Sequence, residues 1–355
     1  MDTTEEFLKV LTEAAGVPGY ESEIREVLRN YMEPLGTVTQ DKLGSLICNQ
    51  PGEGPKVMFA GHMDEVGFMV SHITDDGFLK FVQLGGWWDQ VLLGHRVVIK
   101  TRGGDVTGVI GAKPPHIVDP EERKQVVKKD QMYIDIGATS KKEVEAAGIR
   151  SGDPVVPKSE FEVMANGKCL LAKAFDNRIG CAITLDVLRH YTQNDHPNDL
   201  YGVTTVMEEV GLRGARTTAY AIDPDVAIIL EVDIAGDVPG IKPEQSKATL
   251  GKGPTIILYD RGMIPNLKLR DLFIDTASEL DIPLQLSGYV VGGSTDGAAI
   301  HLHGTGVPTV VIGVASRHIH SHCSIIHRDD YENAVKLVAA VISRLDQDTV
   351  EGLTS

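Results

Sequence analysis

Cysteine is scarce in this chain: Cys48, Cys169, Cys181 and Cys323 are the four present among 355 residues, and no two form a Cys-x-x-Cys pair. That excludes a disulfide framework, and reduced thiols are expected, three of them in apolar surroundings. Long apolar runs are missing as well. No stretch reaches the roughly 20 apolar residues that a membrane-crossing helix needs, and Met1-Asp2-Thr3-Thr4-Glu5-Glu6 is acidic where a secretory leader is basic. A cytoplasmic location without a membrane partner is the expectation. Clustered cations are absent too: 34 Lys and Arg stand against 50 Asp and Glu, a formal charge of −16. This disfavours nucleic acid as a partner, because binding phosphates takes clustered Lys and Arg. No internal repeat or low-complexity tract interrupts the chain.

What is present is 42% hydrophobic residues, enough to bury the core of one large domain and a smaller one. Four apolar, strand-like runs lead into acidic and histidine residues. They are Lys56 to Ala60 before His62 and Asp64, Gly202 to Met207 before Glu208 and Glu209, Val226 to Leu230 before Glu231, and Val307 to Val314 before His318 and His320. In an open α/β sheet ligands gather outside the carboxyl ends of the strands, so these side chains are expected to converge. Carboxylates and imidazoles alone make a donor set for hard or borderline metals.

The periodicity predicts a first helix opened by a capping box from Thr3 to Glu6, a second helix over Glu21 to Met32, and later helices at Arg178 to Tyr191, Asn266 to Glu279 and Tyr331 to Leu345. From about Phe68 to Glu162 the texture changes to short alternating runs such as Phe78 to Val82, Arg96 to Lys100 and Val106 to Ile110. Metal-type residues lie on both sides of this stretch. An α/β domain over 1–67 and 163–355, interrupted by a small β-rich domain over 68–162, follows from that arrangement.

Each candidate has a plain reading beside its chemical one. His62-Met63-Asp64 puts an imidazole and a carboxylate on one side of an extended backbone, as a metal ligand with its orienting partner or as a capped turn. Asp176 stands where a helix cap would, yet its two oxygens can bridge cations about 3.5 to 4 Å apart. Glu208-Glu209 would repel unless a cation or proton intervenes. On extended backbone they point to opposite faces, so one would bind metal while the other accepts a proton, the alternative being two solvated glutamates. His318, His320 and His322 would share a face if extended, as ligands, supporting donors or packing residues. Trp87-Trp88 marks either an interface or the core of the insertion.

Taken together, Ala60-Gly61-His62-Met63-Asp64-Glu65-Val66-Gly67, Ala174-Phe175-Asp176-Asn177-Arg178-Ile179-Gly180, Glu208-Glu209-Val210-Gly211-Leu212-Arg213-Gly214-Ala215 and Arg317-His318-Ile319-His320-Ser321 resemble the tetrahedral, or deblocking, aminopeptidases. That family includes glutamyl aminopeptidases and members carrying an endoglucanase label. The resemblance implies a zinc-exopeptidase-like mixed sheet flanked by helices, with an inserted β-barrel that mediates dimerisation and dimers that build a dodecamer. It further implies two divalent ions, zinc or cobalt, held by His62, Asp176, Glu209, Glu231 and His320, with Asp176 as the bridge. Glu208 becomes the general base, Asp64 orients His62, and the substrates are short peptides.

Gly292-Gly293-Ser294-Thr295-Asp296-Gly297 matches a glycine-rich loop near the family's substrate site, so Asp296 is a candidate substrate contact. Arg261 falls in a pocket-lining stretch of relatives, as a cation for acidic side chains or as a surface arginine. Two departures stand out. Many relatives have aspartate at the position of Glu231, which makes Asp233 a possible substitute ligand, and a third glycine where Ser294 stands. A related di-metal carboxypeptidase or deacylase is the runner-up function, with a glycoside hydrolase or a non-enzymatic metal-binding protein behind it.

Overall fold

The computed structural model describes residues 1–288 and 293–355; Gly292 of the expected glycine-rich loop lies outside the described residues. A mixed sheet forms the body. Its order runs Thr37–Gln40, Leu46–Gln50, Asp199–Thr205, Lys56–His62, Val226–Ile234, Thr309–Arg317, Ser324–His327, Cys169–Ala172 and Glu162–Val163. The four strands in the middle, Asp199–Thr205 to Thr309–Arg317, pair parallel. They are near-continuous apolar runs because helices cover both faces of a parallel sheet. On one face the helices Phe175–Tyr191, Leu267–Glu279 and Arg328–Ile342 bury Ile179, Leu188, Phe273 and Leu337 against Phe59, Ile228 and Ile312. On the other, Arg213–Ile222 packs Ala215 and Ala219 against Met58, Ala227 and Val311. No helix among the described residues is long and apolar enough to cross a membrane.

A closed barrel of six strands occupies the middle of the sequence, from Gly67–Ile73 to Pro154–Pro157, and has its own core around Phe68, Ile99, Ile110 and Val155. Mixed α/β architecture with a small inserted β-barrel is thus the observed fold class. Trp87 stacks on Phe68 in the barrel core at a centroid distance of 4.8 Å, whereas the neighbouring Trp88 is 63% exposed.

Several expectations need correction. The first helix is capped by Asp2, not Thr3: its carboxylate accepts from the Glu5 N–H at 3.0 Å while Glu5 accepts from the Asp2 N–H at 2.9 Å. A carboxylate satisfies the orphan amide and also complements the helix dipole, which a hydroxyl does only in part. Glu231 lies inside the strand Val226–Ile234 rather than after it. The helix expected at Tyr331 to Leu345 runs Arg328–Ile342, starting at the His327 cap, and a short helix Gln347–Gly352 follows it. His318 and His320 have φ of 60° and 54°, so the segment turns and its three histidines do not share a face. His318 is exposed, His320 enters the site, and His322 is buried against Trp87 and His95.

Candidate metal centre

Glycines bring the supporting elements close. A Cβ on Gly61 would sit 2.5 Å from the Gly180 backbone, and one on Gly180 would sit 2.3 Å from the Leu230 carbonyl. The helix Phe175–Tyr191 therefore lies tight on the strands ending in His62 and carrying Glu231. Its first turn delivers Asp176 to the same point.

There the Asp176 carboxylate is shared. Its Oδ1 lies 3.2 Å from His62 Nε2 and its Oδ2 lies 3.2 Å from His320 Nε2. Glu231 Oε1 is 3.5 Å from His62 Nε2, and Glu209 Oε1 is 3.4 Å from His320 Nε2. Two half-sites result, each with one imidazole, one further glutamate and one oxygen of Asp176. Glu208 stands beside them, its Oε2 3.8 Å from His62 Nε2. Met207 adopts φ of 53° just ahead, and the turn that follows lets Glu208 and Glu209 approach the two half-sites instead of opposite faces of a strand.

Main-chain carbonyls select the tautomers. His62 Nδ1 lies 3.0 Å from the Asp64 carbonyl and His320 Nδ1 lies 2.8 Å from the Gly86 carbonyl. A carbonyl only accepts, so each Nδ1 carries a proton and each Nε2 faces the cluster, where its lone pair becomes available once a cation displaces the Nε2 proton. The Asp64 carboxylate is 3.5 Å from His62 Nδ1 and instead accepts the N–H groups of Glu208 and Glu209 at 3.0 and 3.1 Å. Asp64 thus holds both the imidazole and the glutamate pair.

Electrostatics set the demand for positive charge. Burial pushes Glu209 up to about 7, with Asp176 adding to the rise. Burial, with the carboxylates of Glu209, Asp296 and Glu231, holds Glu208 well above the usual glutamate range. Glu231 is raised the same way, first by burial. Burial disfavours charge on His62, yet Glu231, Glu208, Asp176 and Asp64 outweigh it and raise its pKa well above that of free imidazole. Crowded carboxylates of this kind keep protons unless a cation replaces them.

The donor set fits divalent metal ions. One ring nitrogen of His62 and one carboxylate oxygen each of Asp176 and Glu209 all lie within 4.8 Å of one another, and among the described residues the buried Glu209 Oε1 has no hydrogen-bond partner. Ligands placed tetrahedrally at about 2.0–2.1 Å from one ion stand about 3.3 Å apart, which matches the 3.2 to 3.5 Å separations across both half-sites.

A cavity of about 1070 Å³ opens over the cluster, walled by His62, Asp176, Glu208, Glu209, Glu231 and His320, and further out by Arg216, Glu244, Ile257 and Ser294. The chain belongs to the M42 glutamyl aminopeptidase family. Its family profile matches residues 44–337. The chain is 42% identical to FrvX of Escherichia coli (strain K12) over 98% of either chain. Among solved structures it matches a TET aminopeptidase from the marine sediment archaeon Thaumarchaeota archaeon SCGC AB-539-E09, at 51% identity and TM-score 0.97 over 99% of both chains. It also matches the Pyrococcus horikoshii TET1 peptidase, described as assembling into a tetrahedron or a large octahedral shell, at 31% identity and TM-score 0.86 over 96% of this chain and 99% of that one. This M42 member is accordingly a peptidase and a hydrolase.

Three expected contacts sit elsewhere. Arg261 is exposed, gives its main-chain N–H to the Gly293 carbonyl, and does not line the cavity. Asp296 is 1% exposed, accepts from the Thr205 hydroxyl, and also lies outside the walls; burial raises its pKa to about 6. Asp233 turns to the Ile234 N–H, with Thr255 and Ser287 beside it, so Glu231 and not Asp233 meets His62. Sequence reasoning missed Arg216 and Glu244 in the walls, and Gly85-Gly86 from the barrel. The doublet Gly85-Gly86 beside Trp87 was the one available signal.

Proposed function

We propose that this chain is an aminopeptidase that releases N-terminal residues from short peptides with two divalent ions, zinc or cobalt. The observation that carries the reading is the shared carboxylate of Asp176, with His62 and Glu231 on one oxygen's side and His320 and Glu209 on the other's. Imidazole and carboxylate donors suit such ions. When bound, the pair supplies Lewis-acid polarisation of the scissile carbonyl and acidification of the attacking water.

The protein's residues do the rest. Glu208 stands beside the cluster, 3.8 Å from His62 Nε2, without completing either half-site, and a carboxylate so placed can act as the general base. It takes the proton of the attacking water and returns a proton to the leaving amine. Asp64 fixes the main chain of Glu208 and Glu209, and the remaining cavity carboxylates attract a free α-ammonium.

The barrel, residues 68–162 in this reading, joins subunits, and dimers close into a tetrahedral dodecamer; the assemblies of the P. horikoshii relative support this. Mass in solution tests it, and a monomer at working concentration would remove it.

The deciding experiment uses chelated protein restored with zinc or cobalt on one peptide series with free and acetylated amino termini. Metal-dependent release of the first residue from free peptides alone is expected. Equal or preferential action on acetylated peptides would shift the assignment to a deacylase on the same centre.

A further inference from the structure

A second cavity, of about 890 Å³, adjoins the metal cavity, and Gly86, Ile234, Ile319 and His320 line both. Its apolar walls are Trp88 and Val91 from the barrel, and Val238 and Ile241 from the loop after the strand Val226–Ile234. Trp88 and Ile234 are 63% and 37% exposed. Large apolar side chains left open beside a catalytic cavity, on two different segments of the chain, form a recognition surface rather than scattered exposure.

The two cavities differ in charge. The metal cavity presents the carboxylates of Asp176, Glu208, Glu209, Glu231, Glu244 and Asp260 against the single guanidinium of Arg216. The second cavity has no Asp, Glu, Lys or Arg among its described walls; its polar groups are imidazoles, hydroxyls and one thiol. A peptide carries an ammonium at one end and a carboxylate at the other. The acidic cavity attracts the first and repels the second, so the electrostatics orient the chain with its amino end at the carboxylates.

We propose that the cavity between Trp88 and Ile241 holds the peptide on the far side of the scissile bond and selects a large apolar side chain at its second residue. This rests on the aminopeptidase reading above and adds a second specificity element to it. His320 and Ile319 form the sill between the two halves of the substrate. The barrel then contributes to substrate choice as well as supporting the metal centre through the Gly86 carbonyl.

The test measures kcat/KM of the metal-loaded wild type on dipeptides sharing one N-terminal residue and carrying Phe, Leu, Gly or Asp second, with the corresponding amino-acid amide as reference. Phe and Leu are expected to exceed Gly and Asp by about tenfold to a hundredfold, the range for one buried apolar group. In Trp88→Ala the preference should shrink to within about threefold, and Val238→Asp should reverse it for apolar second residues. Release of the amide with a flat wild-type series overturns this proposal and leaves the aminopeptidase reading standing. No release from any substrate overturns that reading too. If Trp88→Ala lowers every substrate alike and also lowers the mass in solution, the face is a contact between copies of this chain, and the proposal fails.

Discussion

The main-chain N–H of Glu208 donates to Asp64 Oδ1 at 3.0 Å. The adjacent N–H of Glu209 donates to the other oxygen of the same carboxylate at 3.1 Å, so one side chain fixes the main chain of two adjacent glutamates. Asp64→Asn puts an amide NH₂ against one of those N–H donors, and one bond must break. Metal affinity is expected to fall about 10-fold to 100-fold, the usual effect of losing such a supporting group. Competition with a chromophoric chelator reads this directly; unchanged affinity would show that the loop holds its shape without the carboxylate.

Glu208 contributes no close contact to either half-site beyond its 3.8 Å approach to His62. Glu208→Gln should therefore keep fold and metal content while kcat drops about a hundredfold to ten-thousandfold, the range for a lost general base. Elemental analysis and turnover on the same sample check both halves. Full turnover removes Glu208 from the role.

The residues that form the cluster were legible because strands in a parallel sheet deliver their ends to one edge, and apolar runs mark those strands. His62 and the Glu208-Glu209 pair stand at such ends. Asp176 reads as a helix start in any case, and only the shape of the fold turns that position toward His62 and His320. The cavity walls were less readable. Arg216 sits on an exposed helix surface whose closeness to the site depends on tertiary packing, and Arg261 looked pocket-like only through relatives. The histidine alternation misled because positive φ at His318 and His320 breaks the period of two, and no residue there is a glycine that would have warned of it.

Gly85 and Gly94 share a left-handed backbone, φ +82° and +81°, but a Cβ on Gly85 would lie 3.1 Å from Glu209 Oε2 while one on Gly94 meets nothing within 4 Å. Replacing each with alanine separates backbone strain from crowding. Both variants should lose about 1 kcal/mol for the strained φ, Gly85→Ala more because its Cβ would also lie 2.7 Å from Val66 Cγ1, and only Gly85→Ala should weaken metal binding. Equal metal affinity in the two variants would show that Glu209 tolerates the added methyl.

Chelation should make stability depend on pH. In the metal-free protein burial raises Glu209 from 4.5 to about 7, and although burial opposes charge on His320, Asp176 and Glu209 raise its pKa from 6.5 to about 10. A group whose folded pKa lies above its unfolded one stabilises below the unfolded value and loses that contribution as pH rises through the folded value. Both groups act in the same direction. The Tm of chelated protein should fall between pH 5 and pH 8, and metal should flatten the profile by compensating the ionised carboxylates. A chelated Tm that rises over this window would contradict the charge balance drawn here.

Arg178 ties the site to the rest of the fold. It is fully buried, its Nε donates to the Met63 carbonyl at 2.7 Å, and its Nη1 donates to the Leu11 and Ala14 carbonyls at 2.6 and 2.9 Å. Its Nη2 reaches Glu65 at 3.4 Å, and Lys173 donates to that same glutamate at 2.6 and 2.8 Å. The first helix, the loop after His62 and the helix that carries Asp176 therefore meet on one guanidinium. Arg178→Met preserves much of the volume but strands the carbonyls and leaves Glu65 with Lys173 alone, and breaking a buried charge network from one side costs about 3–5 kcal/mol. The urea midpoint, measured at fixed protein concentration with metal present, should fall accordingly, and metal affinity should fall with it because Met63 lies between His62 and Asp64. A lowered midpoint with unchanged metal affinity would mean that Arg178 supports the fold without positioning the centre.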